Sequence, residues 1–349
     1  MENSISSLLL AWYDEHARVL PWRGIHDPYA TWVSETMLQQ TRVETVLSYY
    51  RRFLTAYPSV AELAAADEDD VLKLWEGLGY YSRARNLHAG ARQVMTEYGG
   101  VIPDSVEELR RVKGIGPYTA GAIASIAYDR PVPAVDGNVI RVVSRLRDIR
   151  ENVGVPSVRR RLEAEAAALI PTERPGDFNQ ALMDLGSGVC VPGTPDCDAC
   201  PLRAHCDACA AGDAESIPAL PRKNPPKQLA YDLCLIFCGG RVLMRQRTET
   251  LLQGLWVFPM LEGESSAKAL PAQVKRLTGL AVRDVRAAGE ARHVFTHQVW
   301  HMKLYTMHAD AAKLKDGFRF VSAEELRALA VPTAVKAARA EAEKRLEKE

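Results

Sequence analysis

Glu35 and Asp136 are two carboxylates whose neighbours point to different chemistry. Glu35 lies in Asp27-Pro-Tyr-Ala-Thr-Trp-Val-Ser-Glu35-Thr-Met-Leu-Gln-Gln-Thr41. Asp27 and Pro28 suit a helix start. On that helix Glu35 shares a face with Trp32 and Leu38, so its carboxyl is expected among apolar groups. Loss of hydration penalises the charged form and raises the pKa, which suits a general acid near neutral pH. Asp136 stands in a polar Asp-Gly-Asn segment and is expected to stay ionised. Two carboxyls in opposed environments make an acid and a charge stabiliser. The plain alternatives are a solvated helix glutamate and a turn aspartate.

Just before Asp136 runs Ser105-Val-Glu-Glu-Leu-Arg-Arg-Val-Lys-Gly114-Ile-Gly116-Pro-Tyr118. Ser105 with Glu108 reads as a capping box opening one helix, and Pro117 as the first residue of another. Gly114 and Gly116 between them permit positive φ and close approach, so the amides of the second helix can face a phosphate. Ile115 is expected to plug the hairpin into the core. A structural turn without a ligand is the alternative.

Seven cysteines occur, and five fall between 190 and 209. The start of the chain, Met1-Glu-Asn-Ser-Ile-Ser-Ser, does not read as a signal peptide, which predicts a cytoplasmic protein whose clustered thiols bind metal. Cys190, Cys197, Cys200 and Cys206 form one possible set. Cys197/Cys200 with Cys206/Cys209 form another, spaced more tightly than a usual zinc ribbon. Net charge is zero, with 44 basic and 44 acidic residues, so any affinity for a polyanion must come from local placement. Arg141, Arg145, Arg147, Arg150, Arg159, Arg160 and Arg161 make a local basic excess.

The elements that must carry these groups divide the chain. Residues 1–215 read as helical. Residues 216–228, with four prolines between 218 and 226, read as an extended linker. Residues 229–349 read as an α+β domain: a hairpin across Gly239-Gly240, apolar stretches at 255–260 and 293–305, a helix near Gln273 and a Ser322/Glu325 capping box. Thr41/Glu44 reads as a further capping box, leaving Gln39 and Gln40 exposed at a helix junction. Trp75-Glu-Gly77-Leu78-Gly79-Tyr80-Tyr81 places aromatics in a glycine loop, where a ring could slide between bases. No run of about 18 apolar residues argues for a membrane span.

The hairpin followed by Asp136 resembles the helix-hairpin-helix DNA glycosylases that include endonuclease III. The segment Ser34-Glu35-Thr36-Met37-Leu38-Gln39-Gln40-Thr41 closely resembles the adenine DNA glycosylases within that superfamily, and the resemblance spans nearly the whole chain. It implies an all-α glycosylase domain with an iron–sulfur loop, joined to a Nudix-like C-terminal domain. The six-helix region would cover about 27–135, and the iron–sulfur region residues 1–26 with 136–215. Glu35 would protonate adenine, Asp136 would stabilise or capture the sugar cation, and Tyr118 and Asn138 would support the sugar and Asp136. Bifunctional relatives carry a lysine nucleophile where this chain has Tyr118, which implies base removal without efficient strand cleavage. Arg23 and Asp184 match base-pocket positions. Gln40, Thr41, Leu78 and Tyr80, with Gly114 and Gly116, match DNA contacts. The four thiols of Cys190, Cys197, Cys200 and Cys206 match the ligands of a [4Fe-4S] cluster, beside which Arg203 and His205 would face DNA.

In the second domain, Gly254-Leu-Trp-Val-Phe-Pro259 and Phe295-Thr296-His297 resemble the 8-oxoguanine-reading region of the family, with threonine where the family has serine. The segment 265–276 has no acidic residue, so recognition rather than nucleotide hydrolysis is implied. The expected partner is double-stranded DNA bearing adenine opposite 8-oxoguanine or guanine, bound by a monomer at the nucleoid. Competing readings are a thymine or oxidised-pyrimidine glycosylase and a catalytically silent iron–sulfur DNA-binding protein.

Overall fold

The computed structural model describes residues 4–221, 224–263, 265–266, 268–310 and 312–348. It divides into two compact units, 1–65 with 86–222, and 66–85 with 223–349. The second unit thus takes in a segment that chain order alone groups with the helical half.

The first unit is helical. Its Pro28–Leu38 helix begins as the sequence suggests: Asp27 Oδ1 accepts from the amides of Tyr29 (2.8 Å) and Ala30 (3.1 Å), with Pro28 at the first position. Tyr29 to Met37 are all buried. This helix packs on Pro117–Tyr128, another almost wholly buried one. On Pro117–Tyr128, Gly121 lets the Pro133-Ala134 segment lie close, since a Cβ at that position would meet Pro133 O at 2.1 Å. Helices Ile5–His16, Gly137–Leu146, Pro156–Leu169 and Pro175–Gly188 enclose a further core containing Leu9, Val143, Leu162, Phe178 and Leu185.

Several local expectations change. The Thr41/Glu44 capping box does not form. Helix Val43–Ala56 starts after Arg42 without a side-chain cap, and Thr41 Oγ1 instead reaches Gln39 O at 3.4 Å. Ser105 accepts from Glu108 N at 3.2 Å, but it opens only the single turn Val106–Leu109. Of the hairpin glycines, Gly114 takes positive φ (85°), while Gly116 is the extended N-cap of the next helix. The expected linker is partly fixed: Ile217 is buried and Ala219 O accepts from Val153 N at 3.0 Å. Arg222 and Lys223 lie outside the described residues.

Among the described residues, the second unit is built on a seven-stranded sheet. Its strands are β1 (Lys227–Cys238), β2 (Arg241–Gln246), β3 (Trp256–Val257), β4 (Met260–Glu262), β5 (Val282–Val294), β6 (Gln298–Ala309) and β7 (Phe318–Val321). The main order is β3-β2-β1-β6-β5, with β4 beside β1 and β7 beside β2. The β1/β6 pair is parallel, from Lys227 opposite Gln298 to Phe237 opposite His308. Gly239 and Gly240 turn β1 into β2 at φ 54° and 67°, as a tight hairpin requires. Alternation along β1 sends Leu233, Leu235 and Phe237 to a core shared with Leu326, Ala338 and Ala342. Cys234 and Ile236 face Leu270 and Val274 of helix Leu270–Thr278 on the other side. That helix carries no acidic residue.

Candidate active site

Glu35 is 5 % exposed, because its helix is buried on every side rather than along one stripe. Burial pushes its carboxyl up to about 7. The hydrogen bond from the Tyr118 hydroxyl opposes that rise, the Asp136 charge adds to it and Arg23 works against it. Tyr118 donates to Glu35 Oε2, and its oxygen lies 3.7 Å from Met183 Sδ. Tyr118 is therefore a hydrogen-bond partner of Glu35, where the sequence placed it with the sugar and Asp136.

Asp136 is the N-cap of helix Gly137–Leu146 rather than a plain loop residue. Its Oδ1 accepts from Val139 N at 2.8 Å, and its Oδ2 from Asn138 Nδ2 at 2.9 Å. Burial raises its pKa as well, so the expectation of a polar surrounding was only half right. The bonds from Val139 and Asn138 and the Arg141 charge hold it down. Both bonds and the helix dipole favour the carboxylate form. Asn138 is itself held: Arg141 Nη2 donates to Asn138 Oδ1 at 2.9 Å and to Gly186 O at 2.5 Å, while its Nε donates to Cys190 O at 2.8 Å.

Arg23 and Asp184 face each other, with Arg23 Nη1 and Nη2 donating to Oδ2 and Oδ1 at 2.7 and 2.9 Å. Arg18 also donates to Asp184. Burial works against this charge, yet the two guanidiniums hold the Asp184 carboxyl below its ordinary range. Arg18 was missed by the sequence reading; its only signal was its place five residues before Arg23.

Beside the hairpin lies a cavity of about 590 Å³ lined by Gly114, Gly116, Tyr118, Gln39, Arg110 and Arg159, among others. Ile115 is buried as expected. Gln40 is exposed at φ 57°, where it can project, while Thr41 is half-buried.

The basic stretch is not a surface patch throughout. Arg145 is 2 % exposed and Arg141 is buried. Arg145 reaches the carbonyls of Ile217 (2.9 Å), Val191 (2.8 Å) and Gly193 (3.0 Å), and its Nη1 lies 3.3 Å from Cys190 Sγ. Arg147, Arg150, Arg159 and Arg161 pair with nearby carboxylates. Arg203 is exposed and pairs with Asp198 at 2.5 Å. Cys190, Cys197, Cys200, Cys206 and Cys209 line one small cavity. Among the described residues, no three metal-binding side chains group around a single ion. Zinc would need four sulfurs at about 2.3 Å from one centre; a cluster offers several irons. Five soft thiols, lining the cavity together with Arg145, Asp196 and Arg203, fit the latter.

In the second unit, Phe295, Thr296 and His297 connect β5 to β6. Phe295 is half-buried against Trp300 and His293, with centroids 4.8 and 4.5 Å away. Thr296 and His297 are exposed. Tyr80 is 48 % exposed at φ 47°, and its hydroxyl lies 3.1 Å from Thr296 Oγ1. Leu78, expected to meet DNA, is 6 % exposed and belongs to the core.

Residues 33–167 match the HhH-GPD superfamily of base excision DNA repair proteins, and residues 233–341 match the NUDIX domain. The chain is 37 % identical to the adenine DNA glycosylase of Mus musculus, over 95 % of this chain and 76 % of the relative. It is 36 % identical to that of Homo sapiens, over 94 % and 72 %. A thermostable thymine-DNA glycosylase superposes with a TM-score of 0.53 at 27 % identity, covering 59 % of this chain and 95 % of that one. A trapped endonuclease III–DNA covalent intermediate shares the fold, with a TM-score of 0.51 at 22 % identity over 59 % and 94 %. No helix among the described residues is long and apolar enough to cross a membrane. With a helical glycosylase unit, a Nudix-like unit and relatives of one name along nearly its whole length, the chain belongs to the adenine DNA glycosylases, base excision repair enzymes that act on DNA.

Proposed function

We propose that the chain removes adenine opposite 8-oxoguanine or guanine by hydrolysis and leaves the backbone intact. The observation that carries this reading is the buried Glu35, its pKa raised to about 7, in the same site as an N-capping Asp136. Protonated Glu35 gives its proton to N7 of an extruded adenine. The C1′–N9 electron pair leaves with the base, and the sugar becomes cationic. Asp136 stabilises that cation until water adds at C1′ and loses a proton. Tyr118 orients the Glu35 carboxyl. It offers no amine for a Schiff base, which favours a monofunctional enzyme.

Gly114, Gly116 and the amides of the following helix grip a phosphate. Gln40 and Tyr80 fill the space left by the extruded base, and Thr296 with its neighbours reads the opposite base. Arg23 and Asp184 border the adenine pocket. Cys190, Cys197, Cys200 and Cys206 would hold a [4Fe-4S] cluster, whose contribution is to fix the 190–217 loop.

The test is single-turnover base release from a duplex with one adenine opposite 8-oxoguanine, with strands read before and after hot alkali. Alkali-dependent breaks at the adenine are expected. Glu35→Gln should cut the rate by about 10²-fold or more while binding persists. Breaks before alkali would overturn the monofunctional reading, and normal turnover by Glu35→Gln would overturn the acid.

A further inference from the structure

The cysteine loop contains one tetrapeptide twice: Cys197-Asp198-Ala199-Cys200 and Cys206-Asp207-Ala208-Cys209. Five thiols consequently line a single cavity, while a cube of four irons takes four. Three positions are anchored by the helical core, against which Cys190, Cys200 and Cys206 pack. Cys197 is not part of that core. It packs instead against Ala208, Ala214 and Ile217, and Ala208 lies on the single turn Asp207–Ala210 that also carries Cys209. Cys197 and Cys209 thus line the cavity from adjoining segments.

We propose that Cys209 is an interchangeable fourth ligand, able to hold the corner iron in place of Cys197. This inference rests on the cluster reading above. In the exchange, the Cys209 thiol loses its proton and forms an iron–sulfur bond. The bond to Cys197 breaks, its sulfur takes up a proton, and no iron changes oxidation state.

The test uses the full chain prepared without oxygen, with iron and acid-labile sulfide measured per chain beside visible absorption. Wild type, Cys197→Ala and Cys209→Ala should each retain about four irons and four sulfides. Cys197→Ala/Cys209→Ala and the control Cys200→Ala should lose most of both. Cys197→Ala as empty as Cys200→Ala would overturn the proposal, and so would an empty Cys209→Ala.

Alkylation of the native wild type, mapped by mass spectrometry, gives a readout independent of variant folding. Label divided between Cys197 and Cys209 is expected; label confined to one of them would overturn the exchange. A wild type holding zinc without sulfide would remove the cluster reading itself, a result distinct from failure of the exchange.

Discussion

Burial sets the proton affinity of Glu35, and its neighbours adjust it in opposite senses. The Tyr118 hydroxyl donates to the carboxylate and therefore favours the ionised form; the Asp136 charge disfavours it. Because the protonated form is the proposed working acid, single-turnover excision should fall as pH rises through about 7. Tyr118→Phe removes the bond that lowers the pKa. Its descending limb should move to higher pH, even if the maximal rate drops. A limb unmoved in Tyr118→Phe, by rapid-quench assays from pH 5 to 9, would count against Tyr118 as the group that tunes the acid.

At the scale of elements, the carboxylate proposed to face the sugar is held by a helix end and its supports. Asp136 caps Gly137–Leu146, Asn138 ties the cap, and Arg141 ties Asn138 to the Cys190 carbonyl. Helix Pro175–Gly188 passes so close that a Cβ on Gly186 would lie 2.7 Å from Asn138 Cβ. Gly186→Ala should therefore displace Asn138, costing about 1–3 kcal/mol of stability and slowing excision more than it weakens duplex binding. Thermal melts and single-turnover rates measure the two effects separately. Arg145 plays the corresponding role for the 190–217 loop through four carbonyl and sulfur contacts. Arg145→Leu should reduce the iron content of purified protein, as elemental analysis would reveal.

Over the whole molecule, the residue proposed to fill the gap and the one proposed to read the opposite base come from segments far apart in the chain. Tyr80 and Thr296 are 216 positions apart, yet their hydroxyls lie within hydrogen-bonding distance. Tyr80→Phe and Thr296→Val should each narrow the rate ratio between adenine opposite 8-oxoguanine and adenine opposite guanine. Their combined effect should be smaller than the sum, because each removes the same bond; additivity in a double-mutant cycle would show that the two act separately. Residues 66–85 also have polar partners in the second unit: Lys73 Nζ donates to Leu329 O at 3.0 Å and Arg339 pairs with Glu76 at 2.6 Å. A chain ending at 228 should thus melt at a lower temperature than the full chain, beyond any change in recognition. Differential scanning calorimetry would check this.

Local rules sufficed where neighbours in sequence are neighbours in space. Asp27-Pro28, Gly116-Pro117, the Gly239-Gly240 turn and the Ser322/Glu325 box form as their residue types dictate. The apolar neighbours of Glu35 pointed to a raised pKa, but the burial that raises it comes from packing on every side of its helix. Other assignments needed partners that no spacing announces. Tyr118 could be recognised as a missing lysine, but its bond to Glu35 depends on two helices meeting. Arg141 and Arg145 looked like surface charge until folding buried them on backbone carbonyls. Leu78 and Tyr80 share one glycine loop, but only folding decided that Leu78 turns inward while Tyr80 stays exposed. A sequence carries propensity and the chemistry of each group. Which buried donor meets which acceptor is set by long-range packing, because each must find a partner once water is excluded.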